Sequence, residues 1–338
     1  MPEHVRLRDI AARAQVSVAT VSLALRDSAL ISPATRARLV ALAGEMGYRA
    51  HPYVSAYMSW RRNRGSLRQP SIALLHPYAT ADGWRAHGSV NLREMHRGVA
   101  EQIRVHGYAA QEFRLGAERP RRLLEILRTR GITGLVFAPV AEKTQRYDFP
   151  WDKFSAVQIG TGPAGVELPR VVHHHYRGAL DAVRRCAERS YRRPGLVLDR
   201  AHDERLGHVW RAGFEMGAEE CGFARHAVWL MSEQRPDLPG LRAWLKLKKP
   251  DVIVTNLHHL FEKLLSGLGL AIPRDIGLVS LSVPAIGDRV TGIEQNSALI
   301  GTRAVDLLAS ALQLHRTGVL PEAVTTVVNG RWNPGETF

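Results

Sequence analysis

Cysteine is scarce in this sequence, and so are long hydrophobic runs. Cys186 and Cys221 are the two cysteines among 338 residues. They are too few for a disulfide framework or a zinc cluster, so we expect two reduced thiols in a cytoplasmic protein. No stretch approaches the roughly 20 consecutive apolar residues that a transmembrane helix needs, and the N-terminus shows no apolar signal region. The sequence therefore predicts a cytoplasmic protein with no membrane partner.

Motifs of catalysis are also missing. The sequence contains neither the G-x-S-x-G of a serine nucleophile nor a P-loop, and its carboxylates show no pairing by spacing. His173, His174 and His175 are consecutive, but neighbours on an extended segment point to opposite sides and rarely converge on one metal ion. We predict a protein that is not an enzyme and that binds neither a metal nor a cofactor.

Positive charge is in excess, and half of the excess lies at one end of the chain. The formal net charge is +14, and residues 1–70 hold eleven arginines against four acidic residues, a net +7. Such a segment is typical of a domain that neutralises nucleic-acid phosphates and releases their counterions. The first fifth of the chain is therefore predicted to bind nucleic acid. For the remainder, a generally basic surface is the alternative.

Residues 5–25 predict two short helices joined by a tight turn. In the first helix, apolar side chains recur at helical spacing, at Leu7, Ile10, Ala11 and Ala14. Ser17 follows the turn as an N-cap, because its hydroxyl can accept from the free backbone amides of a second helix over residues 18–25. Such a pair is either a plain αα-hairpin or a helix-turn-helix, whose second helix enters the major groove of DNA.

Two stretches of the N-terminal segment match a known pattern. They read A-x-x-A-x-V-S-x-A-T-V-S from Ala11 and ISPATRARLVALAGEMGYRA from Ile31. In residue identity and in order, these stretches resemble the N-terminus of the LacI/GalR family of bacterial transcription regulators. The resemblance implies a third helix that is capped by Ser32, begins at Pro33 and stops at Gly47. It favours the helix-turn-helix over the hairpin and implies an all-α DNA-binding domain over residues 1–49.

The resemblance also assigns residues to DNA contact. Val18 and Ala19 offer apolar contacts, for example to a thymine methyl, while Thr20 and Ser22 reach a phosphate or a base edge. Leu23 stands where many relatives carry an arginine, so one strong guanine contact is expected to be missing. The full set predicted to contact double-stranded operator DNA is Arg6, Ser17, Val18, Ala19, Thr20, Ser22, Leu23, Arg26, Tyr57 and Met58.

A hinge helix and a linker are expected over residues 50–70. Pro52 can begin a short helix to about Met58, and an arginine-rich segment follows to Pro70. In the family, the corresponding helix orders on operator DNA and inserts an apolar side chain into the minor groove. The family's usual leucine position falls here on Tyr57. The alternative is that the aromatic side chains of this segment pack on the next domain.

From Ser71 onward, apolar strands alternate with helices. The predicted strands are SIALLHP, GLVFAPV, AVQIGTG, GLVLD, HAVWLM, DVIVTN and GLVSLS, and the predicted helices lie around residues 92–106, 121–130, 177–189, 209–221 and 260–268. This alternation predicts parallel sheets with helices on both faces. The strands are too many for one small sheet, so we expect two α/β lobes with a ligand crevice at the carboxyl ends of the strands.

The same region resembles the family's periplasmic-binding-protein-like effector core, through sequence segments such as RGVAEQIRVHGY, IGTRAVDLLASAL and VVNGRW. The resemblance implies an effector-binding and dimerisation domain over residues 71–338. It places crossings between the lobes near residues 161–166, 286–292 and 320–324, so that one lobe spans about 71–162 with 291–321 and the other about 163–290 with 322–338. A homodimer would present two heads to a pseudo-palindromic operator.

Several positions at which the family binds its effector are altered. Trp210 stands where many members have an arginine, with Arg205 as a neighbouring charge, and Ser282 and His174 stand where carboxylates are common. Fewer carboxylates and more aromatic and imidazole groups are therefore expected. The residues predicted to bind the effector are His76, Trp84, His174, Arg205, Trp210, Asn256 and Ser282. For the two tryptophans, packing in the core is the alternative.

Together these features predict a sequence-specific DNA-binding transcriptional regulator. The resemblance implies a dimeric repressor of carbohydrate-related genes that a small-molecule effector, such as a sugar or related polyol, controls. A regulator with a non-sugar effector, or with none, is the first alternative. An enzyme or a free-standing sugar-binding module is a more remote one, since neither accounts for the basic N-terminal segment.

Overall fold

The computed structural model describes residues 5–25, 30–46, 48, 69–117, 119–140, 149–162, 165–231, 238–319 and 322–338. The chain divides into two compact units, a head over residues 1–68 and a core over residues 69–338. Helices and strands are numbered below in chain order over the described residues. None of the described helices combines the length and the apolar character needed to cross a membrane.

Three helices form the described part of the head: α1 (Leu7–Ala14), α2 (Val18–Ala24) and α3 (Pro33–Glu45). Each inward face contributes a side chain with no exposed surface, namely Ile10, Val21 and Leu39. Ser17 caps α2 by accepting from the backbone N–H of Thr20 at 3.0 Å, which satisfies a donor that the first helical turn cannot pair internally. The prediction of two short helices around a tight turn is confirmed.

The core contains two six-stranded sheets. In spatial order the first sheet consists of β11 (Thr325–Val328), β5 (Arg170–His173), β4 (Ser155–Ile159), β3 (Gly134–Phe137), β1 (Ser71–His76) and β2 (Ala109–Arg114). The second consists of β12 (Arg331–Asn333), β10 (Gly292–Glu294), β9 (Gly277–Val283), β8 (Val252–Thr255), β6 (Pro194–Asp199) and β7 (Ala227–Met231). All neighbours are parallel except β10 and β12.

Helices cover both faces of each sheet. The first sheet packs against α4 (Val90–Val105), α5 (Pro120–Thr129) and α11 (Ser297–Gln313). The second packs against α6 (His175–Glu188), α7 (Arg200–Arg205), α8 (Val209–Glu220), α9 (Leu238–Lys248) and α10 (His258–Gly267). Along β1, Leu74 faces one helical layer and Leu75 the other, and neither is exposed. Burial on both faces explains why these strands are continuous apolar runs.

Glycines allow helices to cross closely in both lobes. A Cβ added at Gly98 would overlap the carbonyl oxygen of Ala298, and one added at Gly301 would overlap that of Met95, so α4 and α11 approach backbone to backbone. In the second lobe, a Cβ at Gly213 would overlap the carbonyl oxygen of Tyr176, where α8 crosses α6. Each lobe therefore contains a pair of helices in close backbone contact.

The chain changes sheets three times, each time later than the sequence analysis expected. The changes occur between β5 and α6, between β10 and α11, and between β11 and β12. The expected positions near residues 161–166, 286–292 and 320–324 all precede these points. The difference has a physical cause: the short strands β5, β10 and β11 each pair with a sheet before the chain crosses, so the first lobe extends to about residue 173 and takes in residues 325–328.

Candidate functional site

Helix α2 presents a short face to solvent. Ser17, Val18 and Ala19 are exposed at its start, with Val18 46% accessible, and Thr20, Ser22 and Leu23 are partly exposed. The hydroxyl groups of Ser17 and Thr20 lie 2.8 Å apart, so each holds the other in place. The face therefore offers small apolar groups flanked by hydroxyls, which suits contact with methyl groups and phosphates.

The described part of the head also carries exposed basic side chains. Arg6, Arg8, Arg13 and Arg38 are all exposed. The backbone N–H of Arg6 donates to the carboxylate of Asp9 at 2.7 Å, which fixes the start of α1, and Arg6 itself is exposed. Exposed guanidinium groups at a helix start suit contact with phosphate. The predicted contact residues Arg26, Tyr57 and Met58 lie outside the described residues.

A cavity of about 790 Å³ lies between the two lobes of the core. It forms at the carboxyl ends of parallel strands: Tyr78 follows β1, Thr161 follows β4, Asn256 follows β8, and Ser282 lies near the end of β9. At this edge of a parallel sheet, strands give way to loops whose side chains converge on a ligand. The interlobe cavity is therefore the candidate ligand site.

A direct hydrogen bond between two described residues spans the cavity. The side-chain amide of Asn91, at the start of α4 in the first lobe, donates to the hydroxyl of Ser282 in the second lobe at 2.7 Å. The same amide lies 3.4 Å from the side-chain oxygen of Gln295, and the side-chain Nε2 of Gln295 donates to the carbonyl oxygen of Leu281 at 3.2 Å. This polar link ties the lobes together across the cavity.

Stacked aromatic and imidazole rings form one wall. Trp210 is 2% exposed, stacks on His202 with ring centres 5.2 Å apart, and meets His175 edge-on at 4.7 Å. The indole Nε1 of Trp210, Nδ1 of His175 and Oδ1 of Asn256 are buried without a hydrogen-bond partner within the described part of the chain. Buried polar atoms without partners are costly, so a ligand that pairs with them gains free energy.

Burial keeps the wall's imidazoles neutral. It lowers the pKa of His173 and of His202 to about 4, and the pKa of His175 falls well below its usual value for the same reason. Arg205 adds to the effect on His202, because its Nη2 lies 3.0 Å from the Nδ1 of that ring. A guanidinium can only donate, so this Nδ1 accepts and the proton of His202 is on Nε2.

Five of the seven residues predicted to bind an effector line the cavity: His174, Arg205, Trp210, Asn256 and Ser282. His76 and Trp84 do not, which corrects their expected place. His76 is fully buried with its Nε2 3.1 Å from the carbonyl oxygen of Ala81, and Trp84 is fully buried in the first lobe's core with its ring edge-on to His96 at 5.5 Å. Both side chains turn into the lobe instead of toward the strand ends.

Asn91, His202 and Gln295 line the cavity and were missed by the sequence analysis. Asn91 lies at the start of α4, His202 lies in α7, and Gln295 lies where the chain crosses between lobes. No local sequence pattern marks any of these three positions as part of a ligand site. A glycine pattern also passed unnoticed: Gly160, Gly162 and Gly165 have G-x-G-x-x-G spacing after β4. The next element described after β4 is β5, a strand that pairs with β4, whereas that motif binds a pyrophosphate at the N-terminus of a helix that follows the strand.

No three His, Cys, Asp or Glu side chains within the described ranges come together as a metal site. His173 and His175 do approach each other edge-on at 4.8 Å. His174 points elsewhere, with its Nδ1 2.9 Å from the side-chain oxygen of Asn329 at a different crossing. The three consecutive histidines therefore contribute to two places along the lobe boundary.

Two family models match the chain. The model described as bacterial regulatory proteins of the lacI family matches residues 6–51, and the model described as a periplasmic binding protein-like domain matches residues 183–338. Residues 6–51 therefore match a lacI-family domain, and the C-terminal part of the core matches a periplasmic binding protein-like domain. The predicted fold class, an all-α helix-turn-helix head with an α/β two-lobed core, is confirmed.

Solved structures share this fold at low sequence identity. The transcriptional regulator CelR in complex with cellobiose is 18% identical over 99% of this chain and 100% of that chain, with a TM-score of 0.57. The lac repressor dimer bound to operator and the anti-inducer ONPF is 13% identical over 99% of each chain, with a TM-score of 0.53. A LacI family transcriptional regulator from Enterococcus faecium with bound ribose is 14% identical over 79% of this chain and 98% of that chain, with a TM-score of 0.58. A comparison with curated proteins gives no match.

Proposed function

We propose that this chain is a dimeric, sequence-specific DNA-binding repressor of carbohydrate-related genes, controlled by a small molecule in the interlobe cavity. The observation that carries the proposal is the capped helix α2, which presents Val18 and Ala19 to solvent on a head rich in exposed arginines. A regulatory role fits the match of residues 6–51 to the lacI-family model, and the cellobiose and ribose bound by two similar proteins favour a carbohydrate-related effector.

In the proposed complex, α2 lies in the major groove. Arg6 and the amides at the helix starts grip phosphates, Thr20 and Ser22 reach a phosphate or a base edge, and Val18 and Ala19 contact thymine methyl groups. Phosphate contacts supply most of the affinity and make it salt-dependent, whereas base contacts select the sequence. With Leu23 in place of a guanine-binding arginine, the operator is read largely through methyl groups and DNA shape.

Control by an effector would use the two lobes. The cavity joins them, and the bond between Asn91 and Ser282 favours one angle between them. A ligand that binds one interlobe angle more tightly than another shifts the population toward that angle. Coupling energies between two sites are typically ~1–3 kcal/mol, or about 5-fold to 150-fold in affinity. A homodimer would let this change alter the spacing of two heads on a pseudo-palindromic operator.

Leu23→Arg tests the placement of α2. The purified full-length protein and this variant are each used to select bound DNA from a randomised library. Arginine at this position can reach a guanine in the major groove, so we expect altered preference at one base pair of each half-site. Arg13→Leu, a change to an exposed residue of α1, is the control and should weaken binding without altering the selected sequence. Unchanged preference in the Leu23 variant would reject the placement.

A further inference from the structure

Two exposed hydrogen-bond donors lie at the turn between α1 and α2. Gln15 ends α1 and is exposed. Arg38, on α3, is exposed as well, and its Nη2 lies 3.5 Å from the carbonyl oxygen of Ala14, the last residue of α1. The guanidinium of Arg38 therefore lies at the same end of α1 as Gln15. The exposed Ser17, which caps α2, follows two residues later.

The acidic residues in the described part of the head, Asp9 and Glu45, lie away from this turn. Asp9 accepts from the backbone N–H of Arg6 at 2.7 Å, at the opposite end of α1. Glu45 ends α3, about two helical turns beyond Arg38. Among the described residues, the Arg38 guanidinium contacts a carbonyl oxygen and no carboxylate. Its positive charge is therefore available to an anion at the surface of the head.

The backbone of Gln15 is left-handed, with φ 55° and ψ 43°. Glycine adopts this conformation most readily, and glycine or asparagine usually occupies such a position at the end of a helix. Six described residues other than glycine share it, so the conformation alone marks no site. Gln15 is the one of the six in the described head, and it supplies an exposed side-chain amide where glycine would supply none.

We propose that Gln15 and Arg38 together bind one phosphate of the operator DNA, and we call this pair the turn clamp. In a helix-turn-helix complex the first helix crosses the DNA backbone and the second enters the major groove, so the turn between them lies over the sugar-phosphate chain. The guanidinium fork of Arg38 suits two parallel bonds to phosphate oxygens, and the amide of Gln15 can donate a third. The clamp rests on the function proposed above, because it adds a contact to that DNA complex. Neither residue belongs to the set that the sequence predicts to contact DNA.

Binding titrations of the full-length protein test Arg38. Two duplexes of equal length are used, one selected from a random library by the parent protein and one of random sequence. Arg38→Gln removes a charge, so it should weaken binding to both duplexes and lower the slope of log affinity against log salt by about 1 for each head. Arg38→Lys keeps the charge and should keep the slope. Arg225→Gln removes the same charge from an exposed loop of the core and should alter neither quantity.

Gln15→Gly separates DNA contact from folding. Glycine adopts the left-handed conformation without strain, so this variant should fold as the parent does. It should nevertheless bind both duplexes about 3-fold to 10-fold more weakly for each head, the range of a typical net hydrogen bond. The salt slope should not change, because the lost amide carries no charge. Gln15→Asn keeps an amide in a residue that tolerates this backbone and should retain part of the affinity. Ser190→Gly, at an exposed left-handed residue of the core, is the matched control and should bind DNA as the parent does.

Three results would overturn the turn clamp. They are an Arg38→Gln variant with unaltered affinity and salt slope, a Gln15→Gly variant that binds DNA as tightly as the parent, and a changed base preference in either variant, since phosphate contacts carry no sequence information.

Selection of DNA by the parent protein separates this proposal from the proposed function. If the parent enriches a pseudo-palindrome while both variants behave as the parent, the clamp is rejected and the proposed function stands. If the parent enriches no sequence, the proposed function fails, and the titrations with the random-sequence duplex still decide on the clamp. Binding to neither duplex would reject both.

Discussion

Removing the interlobe bond between Asn91 and Ser282 should loosen the association of the two lobes by a predictable amount. Ser282→Ala deletes the acceptor at 2.7 Å but leaves Gln295 within 3.4 Å of the Asn91 amide. Ser282 is also partly exposed, so water can replace part of the lost bond. A typical hydrogen bond contributes about 0.5–1.5 kcal/mol net, and we therefore expect Ser282→Ala to cost about 0.5–1 kcal/mol, the lower part of that range.

Asn91→Ala should cost more, because it removes both contacts of the amide and leaves the side-chain oxygen of Gln295 with one partner fewer. We expect about 1–2 kcal/mol, since an unmatched polar group adds its own desolvation cost. In the double variant, the second substitution cannot remove the hydrogen bond between Asn91 and Ser282 again, because the first has already broken it. A double-mutant cycle should therefore give a coupling energy of about 0.5–1 kcal/mol between the two positions.

Urea denaturation of the full-length protein, followed by circular dichroism, measures these free energies of unfolding. Small-angle X-ray scattering of the same variants reports whether the lobes separate. Ser310→Ala, which deletes an exposed hydroxyl on α11, is the matched control and should stay within about 0.5 kcal/mol of the parent. Strictly additive costs at Asn91 and Ser282, with no change in scattering, would show that this bond does not hold the lobes together.

Three further predictions concern packing, capping and pH. Gly301→Ala should lower the free energy of unfolding by about 1–3 kcal/mol, because the added Cβ would overlap the backbone of α4. Gly267→Ala is the control, since an added Cβ there has no atom within 4 Å, and it should be neutral or stabilising in the same denaturation assay. Equal effects of the two substitutions would contradict the close helix crossing. Ser17→Ala should cost about 1 kcal/mol and weaken DNA binding in a fluorescence-anisotropy titration, because Thr20 loses its cap; unaltered affinity would count against an ordered α2 at the interface. Acid should lower the free energy of unfolding of the core between pH 6.5, the usual imidazole pKa, and about pH 4. In this interval the folded state keeps His173, His202 and His258 neutral, because their pKa values are lowered to about 4, while the unfolded chain protonates them. Each histidine should contribute a loss of up to about 1.4 kcal/mol per pH unit. Flat stability over this interval in a urea series at several pH values would refute that assignment.

Local chemistry explains why the head was predictable from sequence. The start of α2 follows from Ser17 as its cap, and its inward face follows from a short run of apolar residues. Both signals lie within one helical turn of the residues whose conformation they set. The central strands were predictable for a related reason. Residues such as Leu74 and Leu75 must both be apolar when a parallel strand is covered on two faces.

Edge strands were less predictable because pairing defines them. Strand β2 reads AAQEFR and is only partly buried, so its sequence carries no continuous apolar run, yet it pairs along its whole length with β1. Strands β5 and β11 are four residues each; β5 joins the first sheet by pairing with β4, and β11 joins it by pairing with β5. Missing them shifted the predicted crossings toward earlier residues.

The ligand cavity was predictable only in part, because distant segments build it. Asn256 and Ser282 follow or end strands that the sequence reveals, so their place at the strand ends could be foreseen. Trp84 also comes soon after a strand, but a large aromatic side chain serves a core equally well, and this one is fully buried there. Asn91 enters the cavity through the tertiary packing of α4, which no local pattern records.

Selection of DNA from a random library by the full-length protein, repeated over a series of salt concentrations, tests the central proposal most directly. A dimeric regulator with a basic helix-turn-helix head should enrich a pseudo-palindrome with two half-sites about one helical turn apart. Its affinity should fall steeply as salt rises, because several phosphates release counterions on binding. Failure to enrich any sequence, with only weak salt-dependent binding, would contradict sequence-specific regulation by this head.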